Sequence, residues 1–98
     1  MKIATTPQMI TKEIGKRFKV LHVTGEEGMS MPEHFSSKEA VLIIHKGSAV
    51  LTMNGKDYRL NRHDSMIIPG REAHTLNIHA DFEADVIMEC DSEIQFIN

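Results

Sequence analysis

The sequence predicts an all-β fold, a single jelly-roll-like barrel of two packed antiparallel sheets. Two observations carry this prediction. From Phe18 onward, short apolar runs rich in Val, Ile and Thr alternate with turn signals every eight to twelve residues, which is the spacing typical of a sandwich or barrel. Within these runs the side chains can be assigned alternately to two faces, as the geometry of a strand requires.

Turn chemistry marks where the predicted strands end. The strongest signal is Asn54-Gly55, since both residues tolerate the positive φ of a two-residue hairpin turn. His63 is interpreted as a turn residue that accepts an unusual φ. The six predicted turns are Thr24–Gly28, His45–Ser48, Met53–Lys56, Asn61–Asp64, Pro69–Glu72 and His79–Asp85.

The length of 98 residues and a hydrophobic content of 41% predict one folded domain. Residues 1–17 are more polar than the rest and are predicted to form an N-terminal arm, part of the domain or of a dimer contact, with the barrel spanning residues 18–98. The segment Gln8–Phe18 has apolar residues near helical spacing, but Gly15 lies inside it and Pro7 precedes it. This pattern allows at most a single helical turn.

The run AVLIIH, residues 40–45, is apolar on both of its faces. Leu42 and Ile44 lie on one face, while Val41 and Ile43 lie on the other. A strand that is apolar on two faces is buried on two faces, so the outer face needs a cover. We expect either the N-terminal arm or a second subunit to provide it.

Charge and cysteine content exclude several classes of partner. The formal net charge is -3, with both signs scattered along the chain, whereas nucleic acid and anionic membranes require a clustered basic surface. Cys90 is the single cysteine, which rules out an intrachain disulfide and a Cys-based zinc site. No stretch has the length of a signal-peptide core or a membrane helix, so we expect a cytoplasmic protein.

Two segments carry a family resemblance. GMSMPEHFSSKEAVLIIHKG, residues 28–47, resembles the first motif of the cupin superfamily, G(x)5HxH(x)3-4E(x)6G. HDSMIIPGREAHTLNI, residues 63–78, resembles the second, G(x)5PxG(x)2HxxxN, and fifteen residues separate the two segments. The resemblance implies a small single-domain cupin, a double-stranded β-helix barrel whose commonest state is a homodimer.

The same resemblance implies a degenerate metal site. Cupin metal sites use two histidines and a glutamate from the first motif and a histidine from the second; His34 and His74 occupy two of these places. Ser36 stands for the second histidine and Ala40 for the glutamate. Glu39 is one position away, and a shift of one residue turns a strand side chain to the opposite face.

The second motif departs from the family pattern as well. His63, Arg71 and Ile78 replace its two glycines and its asparagine. Strand phase extends the pocket from the two histidines to apolar neighbours. The predicted pocket residues are His34, Ser36, Ala40, Leu42, Met53, His74 and Leu76.

Three interpretations of His34 and His74 stay open. In the first, they form a neutral pair of hydrogen-bonded histidines. In the second, they bind a divalent metal (Zn, Fe, Ni or Mn) at low occupancy, and water, Ser36 or a rearranged Glu39 or Glu33 completes the coordination. In the third, they orient a small-molecule ligand through hydrogen bonds. We expect a small, largely apolar molecule to bind without established catalysis. The alternative is a metal-dependent enzyme of the dioxygenase or isomerase type.

Overall fold

β-Strands form all the helical or extended structure of residues 6–97. The computed structural model describes residues 6–97, which contain no helix. The strands are β1 (Gln8–Ile14), β2 (Phe18–Gly25), β3 (Ser30–Ser36), β4 (Ala40–Met53), β5 (Lys56–Asn61), β6 (Ser65–Ile68), β7 (His74–Glu89) and β8 (Ile94–Phe96). The prediction of an all-β jelly-roll barrel is confirmed, and no helix of the described residues is long enough to cross a membrane.

The two long strands, β4 and β7, each run through both layers of the barrel. Residues 40–46 of β4 pair with β6 and with residues 83–88 of β7, which in turn pairs with β2 and then β1. Residues 48–53 of β4 pair with β5 and with the first part of β7, which pairs with β3 and then β8. All pairs are antiparallel, so the two layers form one curled, continuous sheet.

Two predicted turns, His45–Ser48 and His79–Asp85, are wrong, because both segments lie inside strands. They face each other across the β4–β7 pair, where Lys46 pairs with Glu83 and Ser48 with Ala80. The register shifts three times here, and Gly47 has a φ of +81°. The turn signals therefore mark the bend that takes both strands from one layer to the other.

The remaining special turn residues behave as their chemistry predicts. Asn54 and Gly55 have φ values of 55° and 73°, and they close the hairpin between Met53 and Lys56. His63 has a φ of 76°, and its backbone N–H donates to the carbonyl of Ile44 at 2.9 Å. Both predictions are confirmed.

Residues 8–14 form a strand, so the helical turn considered for Gln8–Phe18 does not form. β1 pairs with β2 at the edge of the sheet. Extended pairing with β2 gives this segment a ladder of backbone hydrogen bonds, whereas nucleating one isolated helical turn is unfavourable. Residues 1–5 lie outside the described residues, and the division of the chain at residue 18 stays a prediction.

The outer face of the first layer carries an apolar row. Register places Ile67, Val41, Ile87 and Val20 side by side across β6, β4, β7 and β2. Ile67 is 59% exposed, and Phe18 on the same face is 57% exposed. The described part of the N-terminal arm lies beside β2 and does not cover this row.

Candidate functional site

His34 and His74 are direct neighbours on the adjacent strands β3 and β7. They are paired in register, so both side chains point to the same, inner face. Their ring centres lie 4.3 Å apart with the planes at 65°. The two residues are 7% and 6% exposed, which makes them a buried imidazole pair.

The backbone holds both rings in the same way. Nδ1 of His34 lies 2.7 Å from the carbonyl oxygen of Pro32, and Nδ1 of His74 lies 2.9 Å from that of Glu72. Each carbonyl belongs to the residue two positions earlier in the chain. A carbonyl oxygen only accepts, so each Nδ1 carries the proton and each Nε2 keeps its lone pair when the ring is neutral.

Burial keeps this pair neutral. Burial lowers the pKa of His34, outweighing the hydrogen bond to Pro32, which raises it, and the neighbouring His74 lowers it further. Burial likewise lowers the pKa of His74, against a smaller opposing effect of the hydrogen bond to Glu72. Neutral rings with a free Nε2 can accept a hydrogen bond or bind a cation.

A cavity of about 50 Å³ lies between the two layers beside this pair. It is lined by six of the seven predicted pocket residues; Met53 is buried in the core and pairs with His74 in register, but does not line it. The lining consists of Met9, Val23, Met31, His34, Ser36, Ala40, Leu42, Leu51, Ile68, His74, Leu76, Phe82, Val86, Met88 and Ile94.

Sequence reasoning missed the part of the lining that comes from β1, β2, β6, β8 and the second half of β7, together with Met31 of β3. Phe82, Val86 and Met88 follow the two-residue period of a half-buried strand, a signal that the predicted turn at His79–Asp85 concealed. Ile94 and Phe96 lie on the short edge strand β8, and the Phe96 ring packs 5.2 Å from the His34 ring. No local sequence pattern indicates this last contact.

The cavity lacks the donor set of a metal centre. Ala40, at the position of the family glutamate, offers no ligand atom, and Glu33 and Glu39 are both exposed. In the described range, residues 6–97, no three His, Cys, Asp or Glu side chains come together to hold a metal. Catalytic zinc sites generally use three protein ligands, so two imidazoles alone do not fit such a centre.

A second polar cluster, also missed by sequence reasoning, lies on the outer face. Asp85 on β7 receives hydrogen bonds of 2.8 Å from His22 Nδ1 and from His45 Nε2, with Lys12 Nζ at 3.4 Å. Burial raises the pKa of Asp85, but the two histidine hydrogen bonds and the charge of Lys12 outweigh it and hold the pKa at about 2. The outer face therefore carries an anion that its own neighbours already pair.

A small jelly-roll barrel with an inward-facing histidine pair defines the class, and the sequence comparison names the family. The model of the cupin domain family matches residues 21–88, and the chain belongs to this family. No curated protein sequence matches the chain.

Solved structures share the fold. The chain is similar to a cupin superfamily protein of Desulfitobacterium hafniense, at 18% identity and a TM-score of 0.79 over 93% of this chain and 84% of that one. It is similar to an RmlC-like cupin of Methanocaldococcus jannaschii with a double-stranded β-helix fold, at 20% identity and a TM-score of 0.76 over 91% and 84%.

An enzyme is among the similar structures. Salicylate 1,2-dioxygenase of Pseudoaminobacter salicylatoxidans, solved as adducts with gentisate, matches at 12% identity and a TM-score of 0.83. The match covers 96% of this chain but only 30% of the dioxygenase. At this identity the likeness supports the fold alone.

Proposed function

We propose that the protein is a small cupin that binds a small, largely apolar molecule in the cavity beside His34 and His74, with no metal chemistry of its own. The observation that carries the proposal is the replacement of the family glutamate by Ala40 in a lining that is apolar except for His34, Ser36 and His74. An apolar cavity with a few converging polar groups is the usual form of a small-molecule site.

The volume limits the size of the ligand. A cavity of about 150 Å³ takes up benzene, whereas this cavity has about 50 Å³. We therefore expect a ligand of a few heavy atoms, or the narrow end of a larger molecule that enters from the solvent side.

Metal analysis and fragment binding test the proposal together. Protein purified without a metal column is expected to hold far less than one transition metal per chain and to show saturable shifts of cavity resonances with small apolar fragments. Leu42→Trp fills the cavity and should abolish the shifts. Val50→Trp is the matched control, because Val50 is a half-buried residue of β4 whose side chain points away from the cavity, and this variant should keep the shifts. A stoichiometric metal that disappears in His74→Ala would contradict the proposal.

The second candidate is a metal-dependent enzyme, with water or substrate completing the coordination. It is favoured by the anchored Nδ1 atoms of His34 and His74, because metal-binding histidines usually donate their other ring N–H to such a carbonyl. Full retention of an activity after exhaustive chelation would exclude this candidate. Loss of the activity that zinc, iron, nickel or manganese restores would support it.

We also propose that a second copy of the chain covers the outer apolar row. Ile67 and Phe18 are more than half exposed, and a homodimer would bury them with Val41 and Ile87. The charge on this face supports the proposal, since Asp85 is already paired within the chain and would not be left unpaired by burial.

Sedimentation equilibrium of two matched variants tests the dimer. Ile67→Asp places a charge in the row and is expected to give monomers. Ile14→Asp is the control, because Ile14 pairs with Lys19 and so lies on the opposite phase from the row, yet is 66% exposed. A monomeric wild type, or equal dimerisation of wild type and Ile67→Asp, would contradict the proposal.

Cysteine usage supports a cytoplasmic location as part of the same proposal. Cys90 is the single cysteine, and its thiol donates to the carbonyl of Gly15 at 3.3 Å. A chain that uses no disulfide is suited to a reducing compartment. Cell fractionation with antibody detection is the measurement that checks it.

A further inference from the structure

The polar side chains of the cavity can accept hydrogen bonds but have no free proton to donate. Three polar side chains line it: His34, Ser36 and His74. Each has already used its only proton on a backbone carbonyl, which can only accept. Nδ1 of the two histidines donates to Pro32 and Glu72 at 2.7 and 2.9 Å, and Oγ of Ser36 donates to Lys38 at 2.7 Å.

Lone pairs are what these three side chains still offer. A neutral imidazole has a single N–H, so Nε2 of each histidine remains an acceptor, and the Ser36 oxygen keeps acceptor capacity while it donates. The other lining side chains are all apolar. Among the described residues that line the cavity, the three polar side chains therefore offer acceptors and no free donor.

We infer that the cavity selects a neutral molecule that carries an O–H or N–H donor on a short apolar body, such as a short-chain alcohol, and rejects anions. The inference rests on the proposed binding function and names the chemistry of its ligand. A donor gives these free acceptors a partner, whereas a carboxylate would bring more lone pairs into a site that has no proton to share. A site built for a hydrogen bond discriminates strongly against the analogue that cannot make it.

Two probes of nearly equal size separate this inference from binding in general. 2-Propanol and acetone have the same number of heavy atoms, but only the alcohol donates a hydrogen bond. Titration into ¹⁵N-labelled protein at neutral pH, monitored by the imidazole ¹⁵N resonances, is expected to show 2-propanol binding at least about 10-fold tighter, which is about 1.4 kcal/mol. Acetate is expected to cause no saturable shift.

The outcomes distinguish the inference from the function on which it rests. Equal affinity for 2-propanol and acetone would overturn the donor preference while leaving small-molecule binding intact. Saturable binding of acetate would also overturn it. If no probe binds at any concentration that the fold tolerates, the proposed binding function fails, and the inference fails with it.

A variant and a spectroscopic measurement complete the test. His34→Met replaces one acceptor with an apolar side chain, so the preference for 2-propanol over acetone should fall, whereas Val50→Met, on the opposite phase of β4 and outside the lining, should leave it unchanged. If His34→Met does not fold, the wild type still decides the question. Long-range ¹H–¹⁵N spectra must show the Nδ1–H tautomer for both His34 and His74, and an Nε2–H tautomer for either one would overturn the inference.

Discussion

Gly47 on β4 lies so close to Asp81 on β7 that a β-carbon at position 47 would overlap the Asp81 carbonyl oxygen. The contact lies at the shared bend of the two long strands. Gly47 also has a φ of +81°, a conformation that side chains rarely adopt. Two independent restrictions, one local and one from the partner strand, therefore require glycine here.

Replacing Gly47 with alanine should destabilise the barrel more than an equal change in a hairpin. Gly47→Ala combines the positive-φ cost with backbone overlap, so we expect the free energy of unfolding to fall by about 3 kcal/mol or more. Gly55→Ala is the matched control, because Gly55 has a φ of +73° but open space around its β-position, and we expect a loss of about 1 kcal/mol. Urea denaturation measures both, and equal losses would refute a role for the contact.

Arg71 replaces a family glycine and keeps the glycine conformation, with a φ of 67°. Arg71→Gly should remove the cost of this backbone strain. That gain outweighs the entropy cost of a more flexible unfolded chain, so we expect the protein to be stabilised by about 0.5 kcal/mol. The backbone N–H of residue 71 keeps its hydrogen bond of 2.8 Å to the carbonyl oxygen of Ser36. Arg62, an exposed turn residue without a positive φ, is the control. Arg62→Gly should lower the free energy of unfolding. If Arg71→Gly lowered it as well, the backbone strain at Arg71 would be contradicted.

The buried histidines predict a loss of stability in mild acid. The pKa values of His34 and His74 are lowered in the folded protein, so near and below pH 6.5 the unfolded chain binds more protons. The stability contribution is complete above the unfolded pKa and is lost as the pH falls through the folded pKa, by about 1.4 kcal/mol for each unit of lowering.

A comparison of slopes separates the buried ring of His74 from an exposed histidine. Urea unfolding between pH 8 and pH 5 should show a weaker pH dependence for His74→Leu than for wild type, since the titrating ring is gone. His79→Gln, on the exposed phase of β7, is the control. An unchanged slope in His74→Leu would show that burial does not suppress protonation of this ring.

Restoring the family ligands should create metal binding. Ser36 and Ala40 line the same cavity as His34 and His74, so Ser36→His with Ala40→Glu supplies the missing imidazole and carboxylate. The variant is expected to bind about one zinc or iron per chain, since four ligands then converge, and to melt at a higher temperature with metal than without it. Ala40→Glu with His74→Leu is the control, because it adds the carboxylate but removes one imidazole. If the melting temperature of the restored variant did not depend on metal, the four side chains would not be placed to bind one ion.

Local chemistry made much of the fold predictable. Asn54-Gly55 and His63 were identified correctly because the φ preferences of a turn depend on only a few neighbouring residues. The segments at Gly47 and around Asp81 carry similar signals, but in the structure they bend two strands that continue past them. A turn and a bend differ in what the partner strand does, and a single segment does not contain that information.

The candidate site likewise has a part that the sequence predicts and a part that it does not. The motif spacing indicated His34 and His74, which β3 and β7 bring together. The contact of Phe96 with His34 joins strands far apart in sequence, and Asp85 meets His22 and His45 from 63 and 40 residues away. Such contacts depend on strand order and register, which no local period encodes.

The pairing pattern of β7 also has a consequence for how the chain folds. This strand, residues 74–89, is the partner of β2, β3 and β4, so during synthesis these three strands are made before the strand with which they pair. Until it leaves the ribosome, only the β1–β2 hairpin and the pairs of β4 with β5 and with β6 can form among the described strands. The barrel is thus assembled late and through distant contacts, which places its folding in the range of about milliseconds to seconds and leaves apolar strand surface for chaperones to cover in the interval.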